Sequence, residues 1–158
     1  MKKIIGISDM QISENPEEQL ITYSLGSCIG LTLYDRELRI GGLLHSMLPV
    51  SRKNKEKAKK KPLMFVDKGI EMMLTELFNK GARRKNLIAK LAGGSKLLDK
   101  KDMFKIGRRN YVVARKMLWK NDILIDGEDV GGTVSRTMSL YLVDGRTTVR
   151  IKREEKEI

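Results

Sequence analysis

Residues 20–49 read LITYSLGSCIGLTLYDRELRIGGLLHSMLP, and this stretch decides the fold. Residues 20–24 form a strand of mostly β-favouring residues that ends at Gly26 and Ser27. Residues 28–34 form a second strand, and Asp35 with Arg36 begins a turn. Residues 38–46 form a third, apolar almost throughout. A near-continuous apolar run suits a strand covered on both faces. Two residue types that carry nucleophilic chemistry sit at the ends of these strands. Cys28 is the only cysteine and His45 the only histidine of the chain.

Working outward, residues 2–7 predict a short strand, and residues 8–18, polar and holding Pro16, predict a loop. Residues 47–61 leave regular structure. Pro62 suits the first turn of a helix. Val66, Ile70, Met73, Leu74, Leu77 and Phe78 follow at spacings of four, three, one, three and one, which is a one-faced helix stopping at Gly81. Residues 86–92 predict a strand running into Gly93 and Gly94. Residues 107–120 predict a second helix, and residues 122–126 another strand. Residues 136–143 and 146–152 flank Asp144 and Gly145, a dipeptide that favours a type I′ hairpin. The order of strands, helix, strand, helix, strands predicts an α+β fold with mixed or antiparallel sheets and two main helices. The chain reads as one domain over residues 1–158, with a basic loop at 51–61 and a charged tail at 153–158.

A chain of 158 residues buries a real hydrophobic core without disulfides. One unpartnered thiol suits a reducing compartment. The opening MKKIIGISDM is too short and polar for a signal peptide, and no apolar run approaches a bilayer's thickness. The expected setting is cytoplasmic, without membrane insertion. One Cys and one His cannot build a zinc site, so no metal and no cofactor are expected.

The net charge of +12 is unevenly placed. Residues 1–50 carry four Lys/Arg against six Asp/Glu, whereas residues 52–61, RKNKEKAKKK, carry seven cations and one Glu. Such a run is either a solvated face or an electrostatic footprint for an acidic partner. None of the eight aromatics interleaves it, which argues against a nucleic-acid binder needing stacking platforms.

A free thiol has a pKa of about 8.5, so little of it is thiolate at neutral pH. A neighbouring imidazole takes that proton and later returns it to a leaving amine. If residues 28–34 and 38–46 pair antiparallel, Cys28 and His45 face each other at the outer ends of the pair. Gly26 gives the chain room to turn before the nucleophile, and backbone N–H groups at Gly26 and Ser27 are candidate donors to an oxyanion. A lone cysteine is usually a small buried hydrophobe and a lone strand histidine a core residue.

LGSC at 25–28 followed by HSMLP at 45–49 resembles the CheD family of chemoreceptor glutamine deamidases. KLAGGS at 90–95, IGRRN at 106–110 and DVGGTVSR at 129–136 are similar to further family segments, in the same order. The chain departs from the pattern in its lysine-rich loop after MLP, in MFVD at 64–67 where a tyrosine-containing stretch is common, and at Ser135 where glycine is common. The resemblance implies a catalytic Cys28, His45 and Thr22, with Thr22 holding the imidazole. Nothing else about a strand threonine singles it out. It also implies a layered α/β fold with a β-sandwich core, shared with the catalytic domains of cytotoxic-necrotizing-factor toxins. The implied activity is protein-glutamine glutaminase action on the cytoplasmic helices of chemoreceptors, with a CheC phosphatase as a partner where one exists. The reading from another class is a regulatory binding module for such a phosphatase or receptor, with little turnover.

Overall fold

The computed structural model describes residues 1–96 and 105–158. In chain order its strands are β1 (Lys2–Ile4), β2 (Asp9–Ser13), β3 (Gln19–Leu25), β4 (Ile29–Asp35), β5 (Ile40–Ser46), β6 (Leu87–Gly93), β7 (Ile125–Val130), β8 (Arg136–Tyr141), β9 (Thr147–Ile151) and β10 (Glu154–Glu157). Its helices are α1 (Lys55–Lys60), α2 (Val66–Asn79) and α3 (Ile106–Lys120).

Alternation along β4 sets the layering. Ile29, Leu31 and Leu33 pack into a core with Val66, Ile70, Met73 and Leu77 of α2 and with Ala114 and Leu118 of α3. Tyr34, two residues on from Thr32, packs on the opposite side with Leu20, Leu25, Met138, Leu140 and Val149 of the other sheet. Every residue of β4 and β5 is buried, as their unbroken apolar character predicts. The result is three layers: helices, then sheet β2–β5–β4–β6–β7, then sheet β1–β3–β8–β9–β10. Both sheets are mixed, with parallel pairs β1/β3 and β6/β7. The expected α+β sandwich with two main helices is what forms. The α2 helix closes as its sequence predicts, with Gly81 and Ala82 N–H groups donating to the Phe78 and Leu77 carbonyls.

Several local expectations are corrected. The segment 8–18 holds β2, which pairs antiparallel with β5. Pro62 opens a separate 3₁₀ turn, Pro62–Met64, and α2 begins after it. Within the lysine run, α1 forms because the Asn54 side chain caps the Lys57 N–H at 3.1 Å. The strand expected at 122–126 lies instead at Ile125–Val130. The charged tail is a strand, with Glu154–Glu157 pairing against Ile151–Thr148. The turn at Asp144 is not type I′, because Gly145 alone there has a positive φ, of 80°. A five-residue connection, 142–146, forms in its place, with the Gly145 N–H on the Tyr141 carbonyl at 2.8 Å.

Candidate active site

The chemistry-bearing residues gather where β3, β4 and β5 meet. His45 lies on β5, on the face that looks toward the second sheet, and is fully buried. Thr22 of β3 reaches it from that sheet. The Thr22 Oγ1 lies 2.7 Å from His45 Nδ1 and 2.8 Å from the Ile5 carbonyl oxygen. A hydroxyl has one proton, and the carbonyl can only accept. Thr22 therefore donates to Ile5 and accepts from Nδ1–H. This fixes the neutral tautomer with its lone pair on Nε2, and that buried nitrogen has no partner among the described residues.

Burial pushes the His45 pKa down to about 4. Burial also pushes the Cys28 thiol above its ordinary value. Burial disfavours the charged form of each group, which keeps Cys28 a thiol and His45 a neutral imidazole near neutral pH.

The register corrects the expected juxtaposition. Gly30, not Cys28, stands opposite His45 in the β4/β5 ladder. Cys28 comes two residues before Gly30, in the position diagonal to His45. Gly30 carries no side chain between them, and Cys28 packs against the inter-sheet core.

The segment before Cys28 is held by its carbonyls. Ser95 N–H donates to Gly26 O at 2.8 Å, and Gly94 N–H to Cys28 O at 2.8 Å. Asn110 Nδ2 donates to Ser27 O at 2.8 Å and to Met47 O at 3.1 Å. One side chain thus ties the strand leading into Cys28 to the strand leaving His45. Because peptides are planar and trans, holding the Gly26 and Ser27 oxygens turns the Ser27 and Cys28 N–H groups to the opposite side. Among the described residues neither N–H donates to another backbone carbonyl. The Gly26 N–H, by contrast, is engaged by Ser24 O at 3.0 Å. Of the two residues singled out for oxyanion contact, the Ser27 N–H has no partner among the described residues and the Gly26 N–H does. The chain does bend over Gly26, Ser27 and Cys28, but Gly26 has no positive φ; that conformation falls on Ser24, at 59°, within β3.

The glycine motifs explain themselves at this point. Gly93 has φ of +105°, and a Cβ there would lie 2.2 Å from Cys28 O. Only glycine lets β6 approach the nucleophile segment so closely. Arg136 closes the DVGGTVSR segment, donating from Nε to Asp129 at 2.8 Å and from a terminal nitrogen to Ser95 Oγ at 2.8 Å. Ser95 in turn donates to Val134 O at 2.6 Å.

Asn110 carries no assigned role in the sequence reading beyond its place in IGRRN. A signal was present. Gly107, Asn110, Ala114 and Leu118 are the buried stripe of α3, and an amide at a core position of a helix needs buried partners.

Fold and site define a three-layer α+β protein with an imidazole in β5 and a thiol just before β4, two residues from the glycine that pairs with His45. The family model described as CheD chemotactic sensory transduction matches residues 47–151. A protein of Syntrophus aciditrophicus named probable chemoreceptor glutamine deamidase CheD 1 is 45% identical over 147 residues, covering 93% of this chain and 92% of that one. Proteins named probable chemoreceptor glutamine deamidase CheD are 44% identical in Solibacter usitatus, over 98% of this chain and 92% of theirs, and 40% identical in Caldanaerobacter subterraneus, over 92% and 90%. The chain belongs to the CheD family.

Proposed function

We propose that this chain deamidates glutamine side chains on chemoreceptor cytoplasmic helices, with Cys28 as nucleophile, His45 as base and acid, and Thr22 as the residue that orients His45. The observation that carries the reading is the Ile5–Thr22–His45 chain of hydrogen bonds, which supports Nε2 as the base. The names of the relatives supply the substrate class.

Nε2 takes the Cys28 proton as the sulfur attacks the carboxamide carbon. The C–S bond forms, and the carbonyl π electrons move onto oxygen. The Ser27 and Cys28 N–H groups receive that oxyanion. The C–N bond then breaks, the imidazolium protonates the nitrogen, and ammonia leaves a thioester. Water, deprotonated by the same nitrogen, attacks the thioester and releases glutamate and the free thiol. A low imidazole pKa keeps Nε2 unprotonated across neutral pH, so the base is available without being coupled to bulk acidity.

No described helix is long and apolar enough to cross a membrane; a cytoplasmic setting is proposed from the receptor substrate that the relatives' names give. A CheC phosphatase is the further partner proposed, where one exists.

The test is incubation with a receptor cytoplasmic fragment, followed by mass spectrometry for amide-to-acid conversion, with Cys28→Ala alongside. Conversion by the native chain alone is the expected result. Conversion by both would remove Cys28 as nucleophile. Conversion by neither, with the fragment still bound, would favour the regulatory-module reading.

A further inference from the structure

The α3 helix breaks the usual charge rule for a helix start. Its first turn holds Arg108 and Arg109 and no acid, and the Lys105 side chain that precedes it makes no cap. Cations at this end oppose the macrodipole. The helix as a whole, IGRRNYVVARKMLWK, has five cations and no Asp or Glu. Where a sequence goes against a local preference, the compensation is sought in function.

The outward stripe of α3 runs Arg108, Val112, Arg115, Trp119, a spacing of four, three and four. All four are exposed, Val112 at 36% and Trp119 at 77%. That is the stripe by which one helix packs along another, and Arg and Trp are the residues that most often anchor protein contacts. Beside the stripe lies a groove of about 740 Å³. It is lined by the aliphatic side chains of Val50, Val112, Val113 and Met117 and by the cations Arg52, Lys53, Arg109, Lys116 and Lys120. A second hollow, of about 420 Å³, adjoins at Lys105 and Arg108 and includes Lys96, Tyr111 and Gly94. The carboxylates here already have partners. Asp67 accepts from the backbone N–H and hydroxyl of Ser51, and Glu128 accepts from Tyr111. Among the described residues no salt bridge engages a cation of α3.

This surface is physically joined to the nucleophile. Asn110, between Arg109 and Tyr111, holds Ser27 O, and Gly94 of the second hollow holds Cys28 O. We infer that the outer face of α3, with Arg52 and Lys53, is the surface on which the substrate docks, and that its occupant is an acidic helix carrying the target glutamine. The inference rests on Cys28 being where that glutamine arrives. A groove lined by both aliphatic and basic side chains fits an amphipathic acidic helix better than a nucleic-acid backbone, which offers phosphates and no aliphatic stripe. It also divides the basic run: Arg52 and Lys53 border the groove, whereas the exposed lysines of α1 do not.

The test is fluorescence anisotropy with a labelled Glu-rich helical peptide bearing one glutamine, on Cys28→Ala protein so that nothing turns over. Arg108→Glu with Lys116→Glu is expected to raise Kd at least about tenfold and to flatten its salt dependence. Lys57→Glu with Lys60→Glu makes the same change in net charge away from the groove and is expected to alter Kd less than about twofold. Unchanged melting temperatures, and unchanged Cys28 alkylation rates when the same pairs are placed in the native chain, show that the fold is intact. Equal weakening by both pairs would overturn the inference in favour of net charge alone. Tighter binding of a DNA duplex, with displacement of the peptide, would overturn it in favour of nucleic acid. If the native chain fails to deamidate the receptor fragment while the α3 pair still weakens peptide binding, the docking surface stands and the deamidase reading falls.

Discussion

Replacing Thr22 by valine keeps the side-chain shape and deletes one hydroxyl. In the native protein that hydroxyl serves two buried groups at once, the Ile5 carbonyl at 2.8 Å and His45 Nδ1 at 2.7 Å. Thr22 and His45 are fully buried and Ile5 is 1% exposed, so water does not replace the lost partner. Each stranded group costs about 1–3 kcal/mol. The summed destabilisation is about 2–6 kcal/mol against the roughly 5–15 kcal/mol typical of a domain, so rates are compared where urea unfolding shows the variant folded. Catalysis suffers separately. Without an acceptor on the Nδ1 side, the imidazole populates the tautomer whose Nε2 carries the proton, and that form cannot act as base. A loss of roughly hundredfold in single-turnover rate is expected, the usual size of a general-base contribution. Thr22→Ser is the control, because it keeps the hydroxyl and loses one methyl, about 0.8 kcal/mol. Urea unfolding gives the stability and mass spectrometry of a receptor fragment gives the rate. If valine and serine variants turned over equally, the hydroxyl would have no part in orienting His45, and the tautomer argument would be wrong.

Three further outcomes are expected. His45 titrates at about 4 in the folded chain against 6.5 unfolded, so as pH falls through this window the unfolded state takes up the proton first and stability drops. The loss is at most about 3 kcal/mol, and it is read as the difference between native and His45→Gln unfolding curves at pH 7 and pH 4. Cys28 alkylation by iodoacetamide should climb with pH beyond the ordinary thiol range, since burial raises its pKa; a rate plateau near neutrality would reveal a preformed ion pair that the burial of both groups argues against. Gly93→Ala places a Cβ 2.2 Å from Cys28 O at a φ of +105°, and should cost at least about 2 kcal/mol and slow turnover; a native-like melting temperature would show that β6 can yield.

The two fully buried strands, α2 and the position of α3 were legible in sequence because burial on both faces, or on one helical stripe, leaves a periodic apolar signature. The misses share one cause. β2 reads DMQIS and β10 reads EEKE; each is a strand through backbone pairing with a neighbour, which composition does not report. β7 reads IDGEDV and lies at a sheet edge, where acids sit as easily as apolar residues. At the site, Cys28 and His45 stood out as single copies of reactive types. Thr22 became visible only through the family resemblance, since its role depends on a contact between two sheets. The register of His45 with Gly30 was unreadable because a two-residue shift preserves which face each side chain takes.

The strand β10 has one more effect. A β-sandwich built from two open sheets has four edges, and each exposes backbone groups able to recruit another chain. Here β1 begins with two lysines, β2 with an aspartate, and β7 carries three acids. The fourth edge is sealed by EEKE, exposed throughout, with Glu155 set opposite Arg150 and bonded to Thr148 at 2.6 Å. A stray strand approaching any of the four meets charge before it meets hydrogen bonds, so the residues that looked least structured are the ones that disfavour edge-to-edge pairing.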